Sequence, residues 1–354
     1  MASLLIRGGR LFDGERFSDS DVLITDGVVE NIAPGIDTPV KTVFDATGMT
    51  VLPGLVDGHM HIAGLSMDKW GAPAQAACWP FGVTAAAECG TIKGTPEFLD
   101  ALGVHTAVYL AVGTKNNEAI LDRAEKLLPL FGNRVVGIKV CYDNLGDETL
   151  TSVRPLEQIC EFAHSRGLRV HVHTTNTPIP MAELLAALSK GDIATHVYHG
   201  SEHNVTADNF ACILDAKKRG VIIDTGFAGG WHVNFRIFAD AVTAGAQPNT
   251  ISTDQVKPFM YTLGGRYGLP QCMSMARTMG MTEEEVFRGV TSAPADALHR
   301  PWGRLNVGSP ADIAVLSWEN EPFSLKDRAG NLLESDQGYR CKLTVSQGNI
   351  VYKD

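Results

Sequence analysis

Between residues 51 and 306, short apolar runs typical of buried strands alternate with stretches that carry helical signals. Such repeated β-α units indicate a parallel sheet, because each helix carries the chain back to the start of the next strand. Eight strands over about 250 residues match the size of a closed barrel. We therefore predict an α/β fold, a (β/α)8 TIM barrel. The predicted strands are residues 51–56, 82–88, 104–111, 134–140, 168–173, 192–197, 220–225 and 249–254.

Helical signals are found at three places between or after these strands. Thr206 is expected to cap a helix that ends at Gly220, a residue that readily adopts the left-handed conformation of a helix stop. Thr282, followed by Glu285, predicts a capping box at the start of another helix. A third helix is predicted at residues 117–130, where apolar residues recur at helical spacing.

Both ends of the chain differ from the middle, because they consist of short strands and turns. The Asp26-Gly27 pair between two apolar runs predicts a hairpin. Near the other end, strands are expected at residues 308–316, 342–346 and 350–352, with a turn at 347–349. We expect the two ends to meet: residues 1–50 together with 307–354 would form a small β-sandwich domain beside the barrel of residues 51–306.

The composition excludes several classes of function. The 354 residues are 44% hydrophobic and 20% charged, which is ordinary for a globular protein with a large core. The formal net charge is -10 and no block of Lys and Arg is present, so neither nucleic acid nor an anionic membrane is an expected partner. The expected partner is a small-molecule substrate, and a homo-oligomer stays open.

Cysteine usage and the N-terminus both predict a cytoplasmic location. The 7 cysteines are scattered and include no C-x-x-C pair, a pattern typical of reduced thiols and not of a disulfide framework. The opening run M-A-S-L-L-I-R-G-G is too short in apolar residues for a signal peptide, and no window reaches the length of a membrane-spanning helix.

Polar side chains stand at the predicted carboxyl ends of five strands, which is where TIM barrels carry their functional residues. His59 and His61 follow the first strand two positions apart, so on an extended backbone both imidazoles leave the same face and can share one metal ion. Any one of these residues could instead be a core residue or a helix cap, but their shared position predicts a metal centre. The six candidate ligands are His59, His61, Lys139, His173, His196 and Asp254.

Lys139 is the unusual member of this set. An ammonium group in the buried strand V-V-G-I-K-V would carry a heavy desolvation cost and could not bind a metal ion. Carboxylation of the amine by carbon dioxide would convert it to a carbamate, an anion with two oxygens that can bridge two ions. The alternative is a surface lysine on a misassigned segment.

These motifs resemble the amidohydrolase superfamily of metal-dependent hydrolases, and the resemblance covers essentially the whole chain. Because it has a lysine on strand four, the chain resembles the branch of this superfamily in which a carboxylated lysine bridges two metal ions. Within that branch, the chain is most similar to the dihydroorotase-like deacetylase group, although loops 173–177 and 253–257 depart from its pattern. The matching motifs are P-G-L-V-D-G-H-M-H (53–61), G-I-K-V (137–140), T-H-V-Y-H-G (195–200), I-S-T-D (251–254), T-S-A-P-A-D-A-L (291–298) and G-R-L-N-V-G-S-P-A-D-I-A-V-L (303–316).

The resemblance implies two divalent ions, zinc in the first instance, with carbon dioxide bound as the carbamate of Lys139. It implies that His59 and His61 hold one ion, that His173 and His196 hold the other, and that Lys139 bridges them. Asp254 would bind the first ion and carry the proton. A metal-bridging hydroxide would then cleave an amide or ester carbonyl and deacylate a small acylated amino acid or hydroxy acid. Candidate substrate contacts are Tyr142, Tyr198, His203, Lys257 and Arg266.

Three other functions stay open at this point. A cyclic amide hydrolase of the dihydroorotase or hydantoinase kind would use the same metals with a different pocket. A single-metal deaminase is less favoured, because such enzymes usually lack the lysine and carry a Glu near the strand-five histidine, whereas Asn176 and Thr177 stand here. A catalytically inactive binding protein would be expected to have lost ligands, and all six are present.

Overall fold

The computed structural model describes residues 3–145, 147–263 and 265–354. The chain begins with seven short strands in which apolar residues and turns alternate. Four of them, in the order β5-β4-β1-β6, form one sheet, and the other three join a second sheet. The strands are β1 Ser3–Arg7, β2 Arg10–Phe12, β3 Phe17–Asp19, β4 Asp21–Thr25, β5 Val28–Ala33, β6 Thr42–Asp45 and β7 Thr50–Pro53.

The end of the chain returns to these strands and completes a β-sandwich, which confirms the prediction that both termini build it. The second sheet has the order β20-β19-β16-β7-β2-β3, so it combines strands from both ends. Apolar side chains such as Ile6, Val22, Val315 and Val345 are buried together in one core cluster. The late strands are β16 Ile313–Glu319, β17 Phe323–Lys326, β18 Leu332–Ser335, β19 Gly338–Ser346 and β20 Asn349–Lys353.

Two tight turns fix the strand pairing in the sandwich. Asp26 and Gly27 join β4 to β5 with φ of 49° and 87°, and Gln347 and Gly348 join β19 to β20 with φ of 49° and 77°. Positive φ at both central residues is the requirement of a hairpin turn whose twist matches that of its strands. Both predicted hairpins are thereby confirmed.

Seven parallel strands form the curved sheet of the barrel, in the order β15-β14-β13-β12-β10-β9-β8. An extra strand, β11, pairs antiparallel with β10. This extra strand occupies the start of the helix predicted at residues 117–130. The bounds are β8 Leu55–Met60, β9 Val83–Thr91, β10 His105–Lys115, β11 Glu118–Ile120, β12 Val135–Cys141, β13 Arg169–His173, β14 Ile193–Thr195 and β15 Ile222–Asp224.

The eighth position of the barrel is filled by residues 249–254, which form no regular strand. This segment is nevertheless hydrogen-bonded on both sides. The Asn249 amide donates to the carbonyl of Ile223 at 2.8 Å, and the Asp254 amide donates to the carbonyl of His59 at 2.8 Å. The segment therefore closes the ring between β15 and β8. The prediction of a regular strand at this position is wrong.

The first predicted strand, residues 51–56, is divided at Gly54. The part before it, β7, pairs with β16 and β2 of the sandwich, and the barrel strand β8 begins at Leu55. A Cβ atom at Gly54 would lie 2.1 Å from Oγ1 of Thr84, so only glycine permits this close approach of two chain segments. Because β7 belongs to the second sheet of the sandwich, the N-terminal strands of the sandwich extend to Pro53.

Eleven helices are present in the described part of the chain. The capping box of Thr282 and Glu285 is confirmed, as is the helix stop at Gly220, which has φ of 88°. The helix before Gly220 begins at Ala211 and not beside Thr206, because Phe210 has a left-handed backbone. The helices are α1 Ala74–Cys78, α2 Pro96–Asp100, α3 Asp122–Phe131, α4 Arg154–His164, α5 Met181–Ala186, α6 Ala211–Arg219, α7 Phe235–Thr243, α8 Lys257–Thr262, α9 Leu269–Thr278, α10 Glu283–Gly289 and α11 Ser292–Ala297.

Every helix among the described residues is too short or too polar to cross a membrane. Three short 3-10 turns complete the secondary structure, at Trp79–Phe81, Gly132–Arg134 and Ala228–Gly230.

Phe287 on α10 connects the barrel to strands from both chain ends. Its buried ring lies 5.7 Å from that of Phe12 and 5.6 Å from that of Tyr339. We expect Phe287→Ala to lower the free energy of unfolding by about 3–5 kcal/mol, because a large cavity replaces the ring. Leu214→Ala, at an exposed position of α6, is the control and should change the free energy of unfolding by less than about 0.5 kcal/mol. Urea denaturation measures both, and equal losses would contradict the role of Phe287.

Candidate metal centre

Asp254 lies at the middle of a histidine cluster at the carboxyl end of the barrel strands. Its Oδ1 atom is 3.3 Å from Nε2 of His59 and 3.3 Å from Nε2 of His61. Its Oδ2 atom is 3.8 Å from Nε2 of His196. Four of the six predicted ligand residues are thus brought together by β8, the end of β14 and the closing segment.

Lys139 and His173 complete the set. Lys139 is only 4% exposed in the middle of β12, and its Nζ atom lies 3.3 Å from Nε2 of His59. The ring of His173 lies 4.5 Å from the ring of His196. All six side chains predicted from the sequence therefore lie around one space.

Two of the histidines, His196 and His59, are oriented by hydrogen bonds at the ring nitrogen that faces away from the cluster. Nδ1 of His196 lies 2.7 Å from the carbonyl oxygen of Gly226 and must donate to it. This bond fixes the tautomer, so the lone pair is on Nε2, which is buried and has no hydrogen-bond partner among the described residues. A buried, unpartnered nitrogen directed at other ligand atoms is what a metal ligand presents before its ion is bound.

His59 is supported in the same manner. Its Nδ1 atom lies 3.2 Å from Oγ1 of Thr195, and that hydroxyl donates to Asp224 at 2.8 Å. Asp224 also accepts hydrogen bonds from Thr250 at 2.7 Å and from Ser252 at 2.6 Å. This buried network spans three neighbouring strand positions and leaves Nε2 of His59 facing the cluster.

Backbone conformation at the centre is unusual for residues with side chains. His196 and Asp254 have φ of 65° and 49°. Left-handed conformations at non-glycine residues cost of the order of 1–3 kcal/mol each and are concentrated at functional sites. Gly226 is required beside them, because a Cβ atom there would lie 2.3 Å from Cε1 of His196.

Burial sets the charge of the histidines. It lowers the pKa values of His59, His173 and His196 well below the usual range, and neighbouring cationic groups lower them further. Burial also lowers the pKa of His61, but Asp254 and Glu88 outweigh it and raise the pKa to about 9. Three of the four imidazoles are consequently neutral near pH 7, as metal ligands must be.

One further histidine of this cluster was missed by the sequence reasoning. Nε2 of His232 lies 3.7 Å from Oδ2 of Asp254, and the ring lies 4.3 Å from that of His196. With His173 and His196 it offers ligand atoms that all lie within 4.8 Å of one another. His232 follows a glycine-rich loop after β15 and not a strand end, so the strand pattern gave no signal for it.

The donor set fits a divalent metal ion. Imidazole nitrogens and carboxylate oxygens are the ligands of zinc and of similar ions. Two groups of side chains that share His196 could each hold an ion: His59, His196 and Asp254 form one, and His173, His196 and His232 form the other.

The two predicted substrate-contacting tyrosines do not present their hydroxyl groups to this cluster. The Tyr142 hydroxyl donates to the carbonyl of Ser152 at 2.6 Å, and the Tyr198 hydroxyl donates to the carbonyl of Ala246 at 2.7 Å. Both side chains are buried. Each hydroxyl satisfies a backbone acceptor, so both tyrosines are core residues in this structure.

The predicted cationic contacts are also dispersed. Arg266 pairs with Glu321 at 3.4 Å and lines a different surface pocket, against the sandwich. Lys257 is exposed at the start of α8, and His203 is half-buried in the loop after β14. Within the described ranges, none of the three forms an ion pair with Asp254, whose charged partners are the histidines around it.

Comparison with known proteins agrees with this fold. The sequence model of the amidohydrolase family matches residues 50–351. A protein from Enterococcus faecalis named deacetylase is 27% identical, over 98% of this chain and 98% of its own length. A solved dihydroorotase structure has a TM-score of 0.85 at 22% identity, covering 99% and 98% of the two chains. A solved adenine deaminase structure has a TM-score of 0.84 at 22% identity and covers both chains fully.

We expect the cluster around Asp254 to bind divalent ions. His196→Ala should lower the ion content measured by elemental analysis, because it removes an inward nitrogen shared by both ligand groups. His164→Ala is the matched control: with Cys160 and Asp192 it forms another ligand-type group, but each oxygen of Asp192 already accepts a hydrogen bond from a backbone amide, of Val170 or of Ser189. Equal ion loss in both variants would contradict the assignment.

Proposed function

Because this chain belongs to the amidohydrolase family, whose members are metal-dependent hydrolases, we propose that it deacylates a small acylated amino acid or hydroxy acid. The observation that carries the proposal is the convergence of six ligand-type side chains on one space at the carboxyl end of the barrel. The E. faecalis relative, named a deacetylase and matched over nearly its full length, supports deacylation as the reaction. The free thiols of all 7 cysteines support the further proposal of a cytoplasmic location.

We propose that two divalent ions, zinc in the first instance, bind in this space. His59 and His61 would hold one ion together with Asp254, and His173 and His196 would hold the other. The inward Nε2 atoms of His59 and His196 support this division, because their Nδ1 atoms are already bonded to the protein. His232 adds a nitrogen on the side of the second ion.

Lys139 is proposed to be carboxylated by carbon dioxide and to bridge the two ions. Its amine is buried and lies 3.3 Å from a ligand nitrogen of His59. An ammonium group there would repel both cations, whereas a carbamate would offset their charge and offer one oxygen to each.

Bound ions of this kind make hydroxide available near neutral pH and polarise the carbonyl that is cleaved. The protein supplies the proton transfer. Asp254 lies against both His59 and His61, so its carboxylate is positioned to accept a proton during attack and to donate it to the leaving amine or alcohol. Its pKa is lowered, because hydrogen bonding and the charge of His61 outweigh the effect of burial, so it is an anion at neutral pH.

The choice of substrate is tested by a hydrolysis screen of the zinc-loaded protein. N-acetyl amino acids and O-acetyl hydroxy acids should be cleaved faster than dihydroorotate, hydantoin or adenine. The second candidate is a cyclic amide hydrolase, which would use the same metal ligands. The similarity of the fold to a solved dihydroorotase is the reason to test it. Rapid opening of cyclic amides with no cleavage of any acylated acid would establish that candidate instead.

Asp254→Asn separates proton transfer from metal binding. The amide keeps an oxygen in the ligand position but cannot carry a proton near neutral pH. We expect near-normal ion content with kcat lowered at least about a hundredfold, the usual scale of a lost general base. Wild-type turnover in this variant would assign the proton transfer to another residue, and His232 would be the first to test.

A further inference from the structure

A cavity of ≈ 270 Å³ lies beside the half of the cluster that contains His173, His196 and His232. It is enclosed by the loops after β13, β14 and β15 and by the tip of the β17–β18 hairpin. Of the cluster histidines, His173 is the last residue of β13, and His196 and His232 lie in the loops after β14 and β15. None of the residues described around the cavity is acidic. The residues important here are Thr175, Asn176, His199, Ser201, Trp231 and Arg328.

Arg328 reaches this cavity from the C-terminal part of the chain. It occupies the turn between β17 and β18, and its backbone amide donates to the carbonyl of Gly230 at 3.2 Å. The preceding residue, Asp327, is buried and accepts hydrogen bonds from the amides of Phe235 at 2.9 Å and Asn331 at 2.8 Å. The hairpin tip is therefore fastened to the rim of the barrel.

The guanidinium group is oriented by a neighbouring amide. Nη1 of Arg328 donates to Oδ1 of Asn176 at 3.2 Å, and the same oxygen accepts from the Ser201 hydroxyl at 3.0 Å. With its oxygen bound twice, Asn176 has its NH2 group left as a donor. No other side-chain hydrogen bond of Arg328 occurs among the described residues. Part of its planar fork is consequently available to a ligand.

His199 supplies a neutral donor to the same cavity. Its Nδ1 atom accepts from the Ser201 amide at 3.2 Å, so the ring proton is on Nε2. That Nε2 atom is buried and without a partner in the part of the chain described, as is the hydroxyl of Thr175. With its proton on Nε2 alone, the imidazole is neutral, and its N–H needs an acceptor.

We infer that this cavity is a carboxylate subsite, in which Arg328 and His199 bind the carboxylate of the substrate while its acyl group lies at the cluster. An unpaired fork of N–H donors, a buried N–H and a hydroxyl match the two oxygens of a carboxylate. This inference rests on the proposed function. It assigns the cationic contact to the hairpin and not to His203, Lys257 or Arg266.

The kinetic test compares N-acetylleucine with its uncharged primary amide. Arg328→Gln should raise KM for the acid about tenfold or more, because a charged hydrogen bond is lost, with kcat and ion content little changed. It should leave KM for the amide unchanged. Arg266→Gln is the matched control, an exposed arginine paired with Glu321 outside the cavity, and should behave as wild type. Equal effects on acid and amide would overturn the subsite.

A binding test keeps the subsite separate from the reaction. In an Asp254→Asn background, calorimetry measures the binding of N-acetylleucine with Arg328 present or replaced by Gln. Weaker binding of the acid alone in the double variant supports the subsite, even if the wild-type protein cleaves no acylated acid and the proposed function has failed. Unchanged binding of the acid would overturn the subsite while the proposed function stood.

Discussion

Lys139 places its amine inside the barrel, 3.3 Å from Nε2 of His59, in a strand whose side chains are otherwise apolar. A cation held there without compensation would cost several kcal/mol. The surrounding side chains offer imidazoles, three of which are neutral near pH 7, and the central carboxylate of Asp254, so the space is suited to bound ions. The proposed carbamate and two divalent ions resolve this conflict, because the anion and the cations stabilise each other. The burial of this one amine thus limits which charged groups can bind at the carboxyl end of the barrel.

Closure of the barrel and support of the site depend on the same residues. The segment that replaces a regular eighth strand is tied to β8 by Asp57, which accepts hydrogen bonds from the amide of Thr253 at 3.2 Å and from its hydroxyl at 2.5 Å. On its other side, Ser252 and Thr250 bind Asp224, which in turn supports His59 through Thr195. The backbone of this segment is irregular, with φ of 49° at Asp254, whose side chain lies in the cluster.

The sequence was sufficient for features that repeat with a period. The alternation of apolar runs located the barrel strands, and a polar residue followed by glycine located each hairpin. The strand ends located His59, His173 and the other predicted ligands. It was insufficient where position depends on a loop. His232 and Arg328 lie on loops or turns from distant parts of the chain, and no local pattern indicates that either lies near the barrel mouth. Tyr142 beside a strand end resembled a substrate contact, but its hydroxyl satisfies a backbone carbonyl that the sequence could not reveal.

Crystallography tests most directly whether Lys139 is a carbamate between two ions. Crystals of protein produced with added zinc and bicarbonate would be measured at the zinc absorption edge. Two anomalous peaks are expected, one beside His59 and His61 and one beside His173 and His196, with electron density for three additional atoms on Nζ of Lys139. An unmodified amine, with no peak at His173 and His196, would contradict both the carbamate and the second ion.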